Sequence, residues 1–262
     1  ARDENGTVLR EQTMLIDEAP YARVTQETTT QCEKTMDEPL TRTVRYVYGD
    51  LWGNVTGITD ESPEGTLVAE IDYWNEDNGY STYLHAHPSE IRVHDGVRLV
   101  RRRSANYQSG TGALESLTRY YTENEGSTTT IEWDDYGNLE RIEDPRGAYV
   151  AYEYDGVLHQ YPSVIRRGGR GVAAYESSIE WDAARAVKVA ETDENGNRMA
   201  YEYDDFCRLW RIWSPKELAV SNPHTPAVSY QYVTEAGHTG YALTENKILF
   251  DPEDPSVMST VV

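Results

Sequence analysis

The sequence predicts an all-β fold, built as an elongated strip of repeated antiparallel β-hairpins. Three observations lead to this prediction. Long segments recur within the chain, ring-bearing or β-branched residues alternate with polar ones, and short runs rich in Asp, Gly and Asn separate the alternating segments. No segment shows sustained helical periodicity, so we expect hairpins throughout the 262 residues.

The repeat is clearest in two blocks that match along their whole length. The first block is "IEWDDYGNLERIEDPRGAYVAYEYDG" at 131–156, and the second is "IEWDAARAVKVAETDENGNRMAYEYDD" at 179–205. Their tryptophans are 48 positions apart and their last tyrosines are 49 apart, so the second block carries one inserted residue. An earlier segment, "RYVYGDLWGNVTGITD" at 45–60, has the same order of parts. "DENG" at 3–6 recurs within the second block, which indicates that the chain begins inside a unit.

Each block consists of two similar halves, and each half is predicted to form one hairpin. In "YEYDDF", Tyr201 and Tyr203 point to one face of a strand and Glu202 points to the other. The acid that follows can accept hydrogen bonds from backbone N–H groups and so start a turn, and Gly137 supplies a residue that tolerates positive φ. The chain then returns through "LERIE", "VTGIT" or "LWRIW". Cys207 stands where that glycine is expected, so either the turn is strained by about 1 kcal/mol or less, or the turn differs there.

We interpret the whole chain as one array segment with four parts that differ in the clarity of the repeat. The second part contains "HDG", which is typical of a hairpin turn, and the third contains "RRGGRG" at 166–171, which has the composition of another turn. The four parts are repeat units at 1–60, diverged hairpins at 61–125, clear repeats at 126–215, and proline-rich hairpins and loops at 216–262.

The repeated aromatic residues have two possible roles. Stacked hairpins place each tyrosine beside its equivalent in the next unit, and such cross-strand contacts stabilise a sheet by roughly 0.2–1 kcal/mol each. Many equal contributions add up along a strip, so we favour a structural role. The alternative is a sugar-binding platform, for which the rings must lie exposed in an open row.

Composition excludes some classes of partner. The chain has 45 acidic and 24 basic residues and a net charge of −21, which repels phosphate backbones and anionic lipid headgroups. We therefore expect no nucleic-acid partner and no membrane insertion. Two cysteines 175 positions apart form no disulfide framework; the sequence leaves a single bridge between Cys32 and Cys207 open, and we favour two unpaired thiols. The chain opens on "ARDENG" without methionine, and we interpret it as a piece of a longer protein.

No catalytic motif stands out, and we expect neither an enzyme nor a cofactor. The sequence lacks a nucleophile elbow, a phosphate loop and a zinc-binding H-E-x-x-H helix. Adjacent acids such as Asp134 and Asp135, or Asp204 and Asp205, are better explained as turn residues than as an acid–base pair. "RRGGRG" is better explained as a loop than as an RNA-binding tract.

Two segments partly match metal-binding patterns, and neither is predicted to bind a metal. His85, His87 and His94 could lie near one another with Glu90 between them, but a site needs three or four converging ligands. "TDENGN" at 192–197 places Asp193, Asn195 and Asn197 at alternate positions. Its glycine is at the wrong place for a calcium loop, and no glutamate follows on schedule. A hairpin turn explains this segment more simply.

The phrase Y-x-Y-D, then G-[N/R]-L, then [T/E]-D-x-x-G-N resembles the tyrosine–aspartate (YD, or Rhs) repeat. The resemblance is best at 131–156, 179–213 and 45–60, and the middle of the chain looks most like the repeat region of bacterial insecticidal toxin-complex B subunits and SpvB-type proteins. That family implies a β-strip that curves or spirals into a hollow shell. The shell encloses a toxic polypeptide and passes it to a translocation channel.

The resemblance also implies partners and a location. The expected partners are flanking repeat units, other toxin-complex subunits and an enclosed toxin, in a bacterial protein that is secreted or on the cell surface. The acidic excess would favour a cationic, unfolded cargo if enough acids face inward. Animal teneurins use a similar barrel for adhesion, so a cell-surface adhesion or carbohydrate-binding module is the alternative. The chain shows no self-cleaving core end, propeller or toxin domain, which implies that it forms only part of a wall.

Overall fold

The structure is a computed structural model that describes residues 10–17, 22–32, 39–74, 84–219, 225–233, 240–249 and 258–261. The chain divides into two compact units, Ala1–Ile131 and Glu132–Val262, which are described separately below. The repeated "DENG" at 3–6 lies outside the described residues. No helix among the described residues has the length and apolar character needed to cross a bilayer.

The first unit consists of antiparallel strands, each hydrogen-bonded to the strand that follows it in sequence. The part with the least clear repeat, 61–125, therefore forms hairpins as regular as the rest in its described residues. The strands are β1 (Arg10–Asp17), β2 (Arg23–Gln31), β3 (Leu40–Tyr48), β4 (Val55–Ser62), β5 (Gly65–Tyr73), β6 (Pro88–Asp95), β7 (Arg98–Tyr107), β8 (Leu114–Tyr120) and β9 (Gly126–Trp133), the last of which ends in the second unit.

The second unit continues in the same manner, with consecutive antiparallel strands and one short helix, α1 (Pro215–Leu218). Ser214 and Glu217 form a capping box at the start of that helix. The predicted all-β fold of antiparallel hairpins is confirmed. The strands are β10 (Leu139–Glu143), β11 (Tyr149–Tyr154), β12 (Pro162–Gly169), β13 (Val172–Asp182), β14 (Val187–Thr192), β15 (Arg198–Tyr203), β16 (Leu209–Trp213), β17 (Val228–Val233), β18 (Tyr241–Leu249) and β19 (Met258–Val261).

The two copies of the repeat occupy equivalent positions. "IEW" ends β9 in one copy and "IEWD" ends β13 in the other, and "AYEY" ends β11 and β15. In both tyrosine strands the register with the next strand shifts just before the last tyrosine, where Tyr154 pairs with Pro162 and Tyr203 pairs with Leu209. This β-bulge bends the end of the strand towards the turn that follows. Similar sequence therefore produces similar backbone.

The turns confirm the predicted role of the acid and the glycine. The Asp134 N–H donates to the Asn138 carbonyl at 3.0 Å, and the Gly137 N–H donates to the Asp134 carbonyl at 3.0 Å. The Asp134 carboxylate accepts from the backbone N–H groups of Tyr136 and Asn138. Equivalent backbone bonds close the turns that start at Asp144, Asp193 and Asp204.

Cys207 adopts the backbone of the glycine that it replaces, so of the two alternatives the turn is retained. Its φ is +59°, compared with +84° at Gly137, so a residue with a Cβ occupies the left-handed region in this turn. "DAARAV" forms a different turn in which Ala186 has a φ of +55° and the Asp182 carboxylate accepts from the Ala184 N–H. "RRGGRG" is only partly a turn. Its first four residues belong to β12, and the turn follows with Gly171 at a φ of +77°.

Alternation along the strands gives each unit two different faces. We call the face that carries Tyr154 and Tyr203 the aromatic face of the second unit, and the opposite face, which carries Glu202, the ionic face. Cross-strand register assigns the remaining side chains because directly paired residues share a face. The aromatic face also holds Val150, Tyr152, Ile165, Ile179, Trp181, Met199, Tyr201, Ile212, Val228, Tyr230 and Tyr232.

The first unit has the same division. Its aromatic face is the one that carries Tyr48, and its ionic face is the one that carries Arg45. Among the described residues, Ala190 in the second unit is the only fully buried apolar side chain. Nearly all strand residues are half-buried or exposed because the described strands of each unit form a single layer and not two packed sheets. A single layer cannot build a dry core.

Candidate functional site

The most regular feature of the molecule is a hydrogen bond from a ring to a backbone carbonyl. In the second unit, Tyr154 at the end of β11 donates its O–H to the Leu139 carbonyl at 2.9 Å. Tyr203 at the end of β15 donates to the carbonyl of Lys188 at 2.8 Å. Each ring therefore crosses the preceding strand and bonds a carbonyl near its start. We call these side chains the ring donors.

The remaining ring donors have the same geometry and occur in both units. In the second unit the Trp181 Nε1–H donates to the Pro162 carbonyl at 2.8 Å, so an indole replaces the phenol. In the first unit Tyr107 donates to the Pro88 carbonyl at 2.8 Å, although no aspartate follows it. The other ring donors are Tyr48, Tyr73 and Tyr232.

This arrangement differs from the expected stacking of equivalent tyrosines. Ring donors occupy every second strand and strands lie about 4.8 Å apart, so equivalent rings are about 9.5 Å apart and cannot touch directly. Each ring instead lies over the intervening strand. Cations pack on other rings, as where the Lys188 ammonium lies 4.5 Å from the centroid of Tyr201 and the Arg141 guanidinium lies 3.8 Å from that of Tyr149.

Burial keeps the ring donors protonated. Removal from water raises the pKa of Tyr154, and it raises the pKa of Tyr203 in the same way. A phenol whose pKa is above its ordinary value of about 10 stays a donor at every physiological pH. These residues are therefore suited to hold neighbouring strands together, and their hydroxyl groups are already used.

The ionic faces carry ladders of paired charges. In the second unit Arg166 bonds Glu176 at 2.7 Å and also contacts Glu153, so one guanidinium links three strands. In the first unit Arg102 bonds Glu90 at 2.7 Å. Exposed pairs of this kind contribute little to stability because water and salt screen them. Other pairs on the ionic faces are Arg45–Glu61, Arg92–Asp72, Arg141–Glu143, Arg198–Glu180 and Arg211–Glu202.

The shifted carboxyl groups of the described residues all shift towards lower pKa. The side-chain amide of Asn197, followed by its backbone N–H, lowers the pKa of Asp193, and the Arg198 guanidinium lowers that of Glu180. Backbone N–H groups of Leu158 and Tyr161 lower the pKa of Asp155 most. These carboxylates are occupied in turns and ion pairs. The others are Asp50, Asp60, Glu90, Asp134, Glu191 and Asp204.

The histidines that were weighed as metal ligands lie in different surroundings. The His85 ring stacks on Trp52 with centroids 3.6 Å apart, and His87 meets the edge of Tyr107 at 5.0 Å. His94 pairs across the sheet with Leu99. Glu90 is bonded by Arg102. Within the described ranges no three His, Cys, Asp or Glu side chains converge in a manner that could hold a metal ion.

The segment weighed as a calcium loop is a hairpin turn. The Asp193 carboxylate accepts from the backbone N–H groups of Asn195 and Asn197 at 2.9 and 2.8 Å, and from the Asn197 side-chain amide at 2.8 Å. The three residues thus bond one another. Both cysteines, Cys32 and Cys207, are free thiols, as expected.

One group of exposed rings was not identified from the sequence. Trp52, Tyr136 and Phe206 each occupy the third position of an aspartate turn, and they are 49%, 65% and 80% exposed. Trp52 stacks on His85, and Tyr136 stacks on His159 with centroids 3.9 Å apart. The pattern Asp-x-aromatic-Gly/Cys, which these turns share, was the signal that could have found them. We call these side chains the turn rings.

The backbone around two of the turn rings is held in the same way. The Asn54 side-chain amide donates to the His85 carbonyl at 2.6 Å, and the Asn138 amide donates to the His159 carbonyl at 2.7 Å. A histidine from the next loop thus supplies both a ring to stack on and a carbonyl to bond. The aromatic face of the second unit also contains an open groove of about 550 Å³ lined by Ile165, Ile179 and Met199 among others.

Comparison with known proteins finds similarity in solved structures alone. No family model matches the chain, and no curated protein matches it. The chain resembles structures described as TcdB2-TccC3-Cdc42 (TM-score 0.53, 15% identity), TcdB2-TccC3 without the hypervariable C-terminal region (0.53, 14%) and TcdB2-TccC3-TEV (0.51, 16%). The matches cover 85%, 85% and 82% of this chain but only 12%, 12% and 11% of those chains. At this identity the likeness extends to the fold alone.

Proposed function

We propose that this chain is a non-enzymatic segment of the wall of a bacterial YD-repeat toxin shell, which encloses a toxic polypeptide and helps to deliver it. The observation that carries the proposal is the single-layer construction of each unit, in which ring donors recur on alternate strands and tie each strand that carries one to the strand before it. Such a layer separates two spaces. It contains no dry core of its own.

Confinement needs a continuous surface more than it needs reactive groups. In each unit one face is aromatic and the other is ionic, so the layer presents two different environments to the spaces on its two sides. The carboxylates with a shifted pKa are occupied in turns and ion pairs, which fits a structural role without a catalytic step. The acidic excess favours a cationic, unfolded cargo wherever acids face inward.

The structural comparisons support this proposal at the level of the fold. The similar solved structures are described as complexes of TcdB2 and TccC3, and the repeated motif resembles toxin-complex B subunits. The partners that we propose are flanking repeat units, other toxin-complex subunits and the enclosed polypeptide. The location that follows is outside the bacterial cell.

Protease protection of an enclosed reporter tests the proposal. A protein that contains this chain is produced with an unfolded reporter polypeptide in the cargo position and is treated with a protease. We expect the reporter to survive in the parent protein and to be cleaved when Tyr154 and Tyr203 are both changed to Ala, since that change removes two ring donors from one wall. Tyr175→Ala is the control because that ring is 58% exposed. If the reporter in the parent protein is cleaved as fast as the reporter in the double variant, enclosure is contradicted.

Carbohydrate binding is the second candidate, and the turn rings are the observation that favours it. Trp52, Tyr136 and Phe206 are exposed, and flat aromatic rings are common surfaces for sugars. A glycan array measures whether the chain binds carbohydrate. Binding that is lost on Trp52→Ala or Tyr136→Ala supports this candidate, and an array without signal removes it.

A further inference from the structure

Three arginines lie together on the aromatic face of the first unit. Arg101 and Arg103 are alternate residues of β7, and Arg119 belongs to β8. Register places them on the aromatic face because Arg103 pairs with Ile91, Arg101 pairs with Val93, and the same strand continues to the ring donor Tyr107. All three side chains are exposed. We call this group the arginine patch.

Repulsion within the arginine patch destabilises the sheet. Arg103 and Arg119 are direct cross-strand partners, and like charges in directly opposite positions destabilise a sheet. Arg103 has Ile91 opposite it on its other side, and Arg119 has Ser127. No carboxylate therefore occupies the cross-strand positions next to this pair. Such an arrangement is unexpected on a chain with a net charge of −21.

The arginine patch also differs from the ionic faces in its lack of ion pairs among the described residues. On those faces arginines such as Arg45 and Arg102 bond carboxylates on neighbouring strands, at 2.6 and 2.7 Å. Within the part of the chain that the structure describes, the side chains of Arg101, Arg103 and Arg119 make no ion pair or hydrogen bond. Acidic residues are abundant in this sequence, but no described acidic side chain bonds these three cations.

We propose that the arginine patch is a docking site for an acidic polypeptide segment in an extended conformation, with carboxylates at alternate positions. An extended segment repeats its side chains on one face every 6.6–6.8 Å or so, and Arg101 and Arg103 have the same spacing along β7. Each planar guanidinium can bind a carboxylate through two parallel hydrogen bonds. A bound carboxylate between Arg103 and Arg119 also removes their mutual repulsion.

The size of the arginine patch favours a short acidic segment over other polyanions. Nucleic acids and anionic membranes extend their charge far beyond three arginines, and here they would meet the acidic remainder of the chain. The charge of a short segment with two or three carboxylates, in contrast, does not extend beyond the arginine patch. The proposal goes beyond the wall function and does not depend on it, because docking needs only the surface of the first unit.

A labelled peptide provides the test. The probe is a fluorescent peptide with glutamate and threonine in alternation, titrated with the full chain and followed by fluorescence anisotropy at low salt. We expect binding that weakens as salt is added and an affinity at least tenfold lower for the variant Arg103→Gln/Arg119→Gln. The matched control is Arg45→Gln, which removes a paired arginine from the ionic face and is expected to leave the affinity unchanged.

Stability separates docking from a structural role. Removal of like charges that face each other should leave the urea midpoint of the double variant equal to or above that of the parent chain, so weaker binding cannot result from unfolding. Equal affinity of parent and double variant overturns the proposal. An oligonucleotide or an anionic vesicle that binds the arginine patch more tightly than the peptide also overturns it, in favour of that other class of partner.

Discussion

The clear repeats at 126–215 and the diverged hairpins at 61–125 differ in sequence far more than in their contacts. Tyr154 is followed by an aspartate whose carboxylate organises the next turn, whereas Tyr107 is followed by Gln108. The Gln108 N–H still bonds the Ala113 carbonyl at 2.8 Å, and the hydroxyl of Thr111 replaces the missing carboxylate as acceptor for the Ala113 N–H. Both tyrosines nevertheless make the same bond to a carbonyl of the preceding strand.

This difference teaches that the repeated phrase has two separable parts. The ring donor fixes one strand to the strand before it, and the aspartate fixes only the turn that follows. The turn can be closed by other side chains, so the aspartate can be lost while the hairpin remains. The ring-to-carbonyl bond occurs in both regions, which makes it the better marker of a repeat unit than the tyrosine–aspartate pair.

Acid should separate the two regions most strongly, because it acts on several turns at once. Hydrogen bonds hold the pKa values of Asp134, Asp193 and Asp204 below the value of about 3.9 expected in an unfolded chain. A carboxyl group with a lowered folded pKa contributes stability above the unfolded pKa, and that stability is lost as the pH falls through the folded pKa. We therefore expect hydrogen-exchange protection between pH 6 and pH 2.5 to fall more in the clear repeats.

The variant Asp193→Asn supplies the control for the acid experiment. An asparagine side chain is neutral and does not titrate between pH 6 and pH 2.5. The turn of this variant should therefore be less protected than the parent turn at pH 6, and its protection should change less on acidification. The amides around Gly112, where no aspartate organises the turn, give the matched reference in the diverged region. Equal loss of protection at Gly112 and at Asn197 in the parent chain contradicts the assignment.

Truncation of a ring donor should have a similar effect in both regions. Tyr107→Ala and Tyr154→Ala each remove a half-buried ring and one hydrogen bond, and we expect each to lower the free energy of unfolding by about 2 kcal/mol. The corresponding changes to Phe keep the ring and should cost about 1 kcal/mol. Urea titration measures both. A cost for Tyr107→Phe near that of the exposed control Tyr175→Phe would show that the bond matters only in the clear repeats.

The two copies of the aspartate turn allow an exchange of residues. Gly137→Cys introduces a Cβ where φ is +84° and should destabilise by about 1 kcal/mol, whereas Cys207→Gly relieves the same cost and should stabilise by somewhat less. Thermal unfolding of the two variants gives opposite shifts in Tm if the turns are equivalent. Shifts of the same sign mean that the turns differ in more than this residue.

The smallest effect is expected at the turn rings. Trp52→Ala in the first unit and Tyr136→Ala in the second each remove a stacked pair at an exposed position, and each should cost about 0.5 kcal/mol. Local hydrogen exchange in the neighbouring histidine loops reports the loss better than global unfolding does. A cost above about 2 kcal/mol would assign these rings to the structure and would weaken the case for sugar binding.

The sequence was sufficient for the strands and for most turns because both follow from local rules. Alternation assigned Tyr201 and Tyr203 to one face and Glu202 to the other, as the register shows. Glycine and aspartate marked the turns at Gly137 and Gly196 correctly. The alignment of Cys207 with Gly137 left open whether that turn is strained or different, and its φ of +59° shows that the left-handed backbone is kept.

The acceptor of the ring donors could not be predicted, because it depends on distances between strands. Nothing local to Tyr203 indicates that its hydroxyl reaches the Lys188 carbonyl, 15 positions earlier in the chain. The arginine patch was missed for the same reason. Arg103 and Arg119 become neighbours only when the register of β7 and β8 is known, and one residue of slip would place them on opposite faces.

The scarcity of buried side chains has a consequence for how the protein melts. The heat capacity gained on unfolding and the sensitivity to urea both grow with the surface that water newly reaches, and of the described apolar side chains Ala190 alone is fully withdrawn from water. Calorimetry of such a layer should record a broad, shallow endotherm, well below the usual increment of about 12–15 cal/mol/K per residue. Because each hairpin depends mainly on its two neighbours, local unfolding caused by heat should remain confined to a few strands.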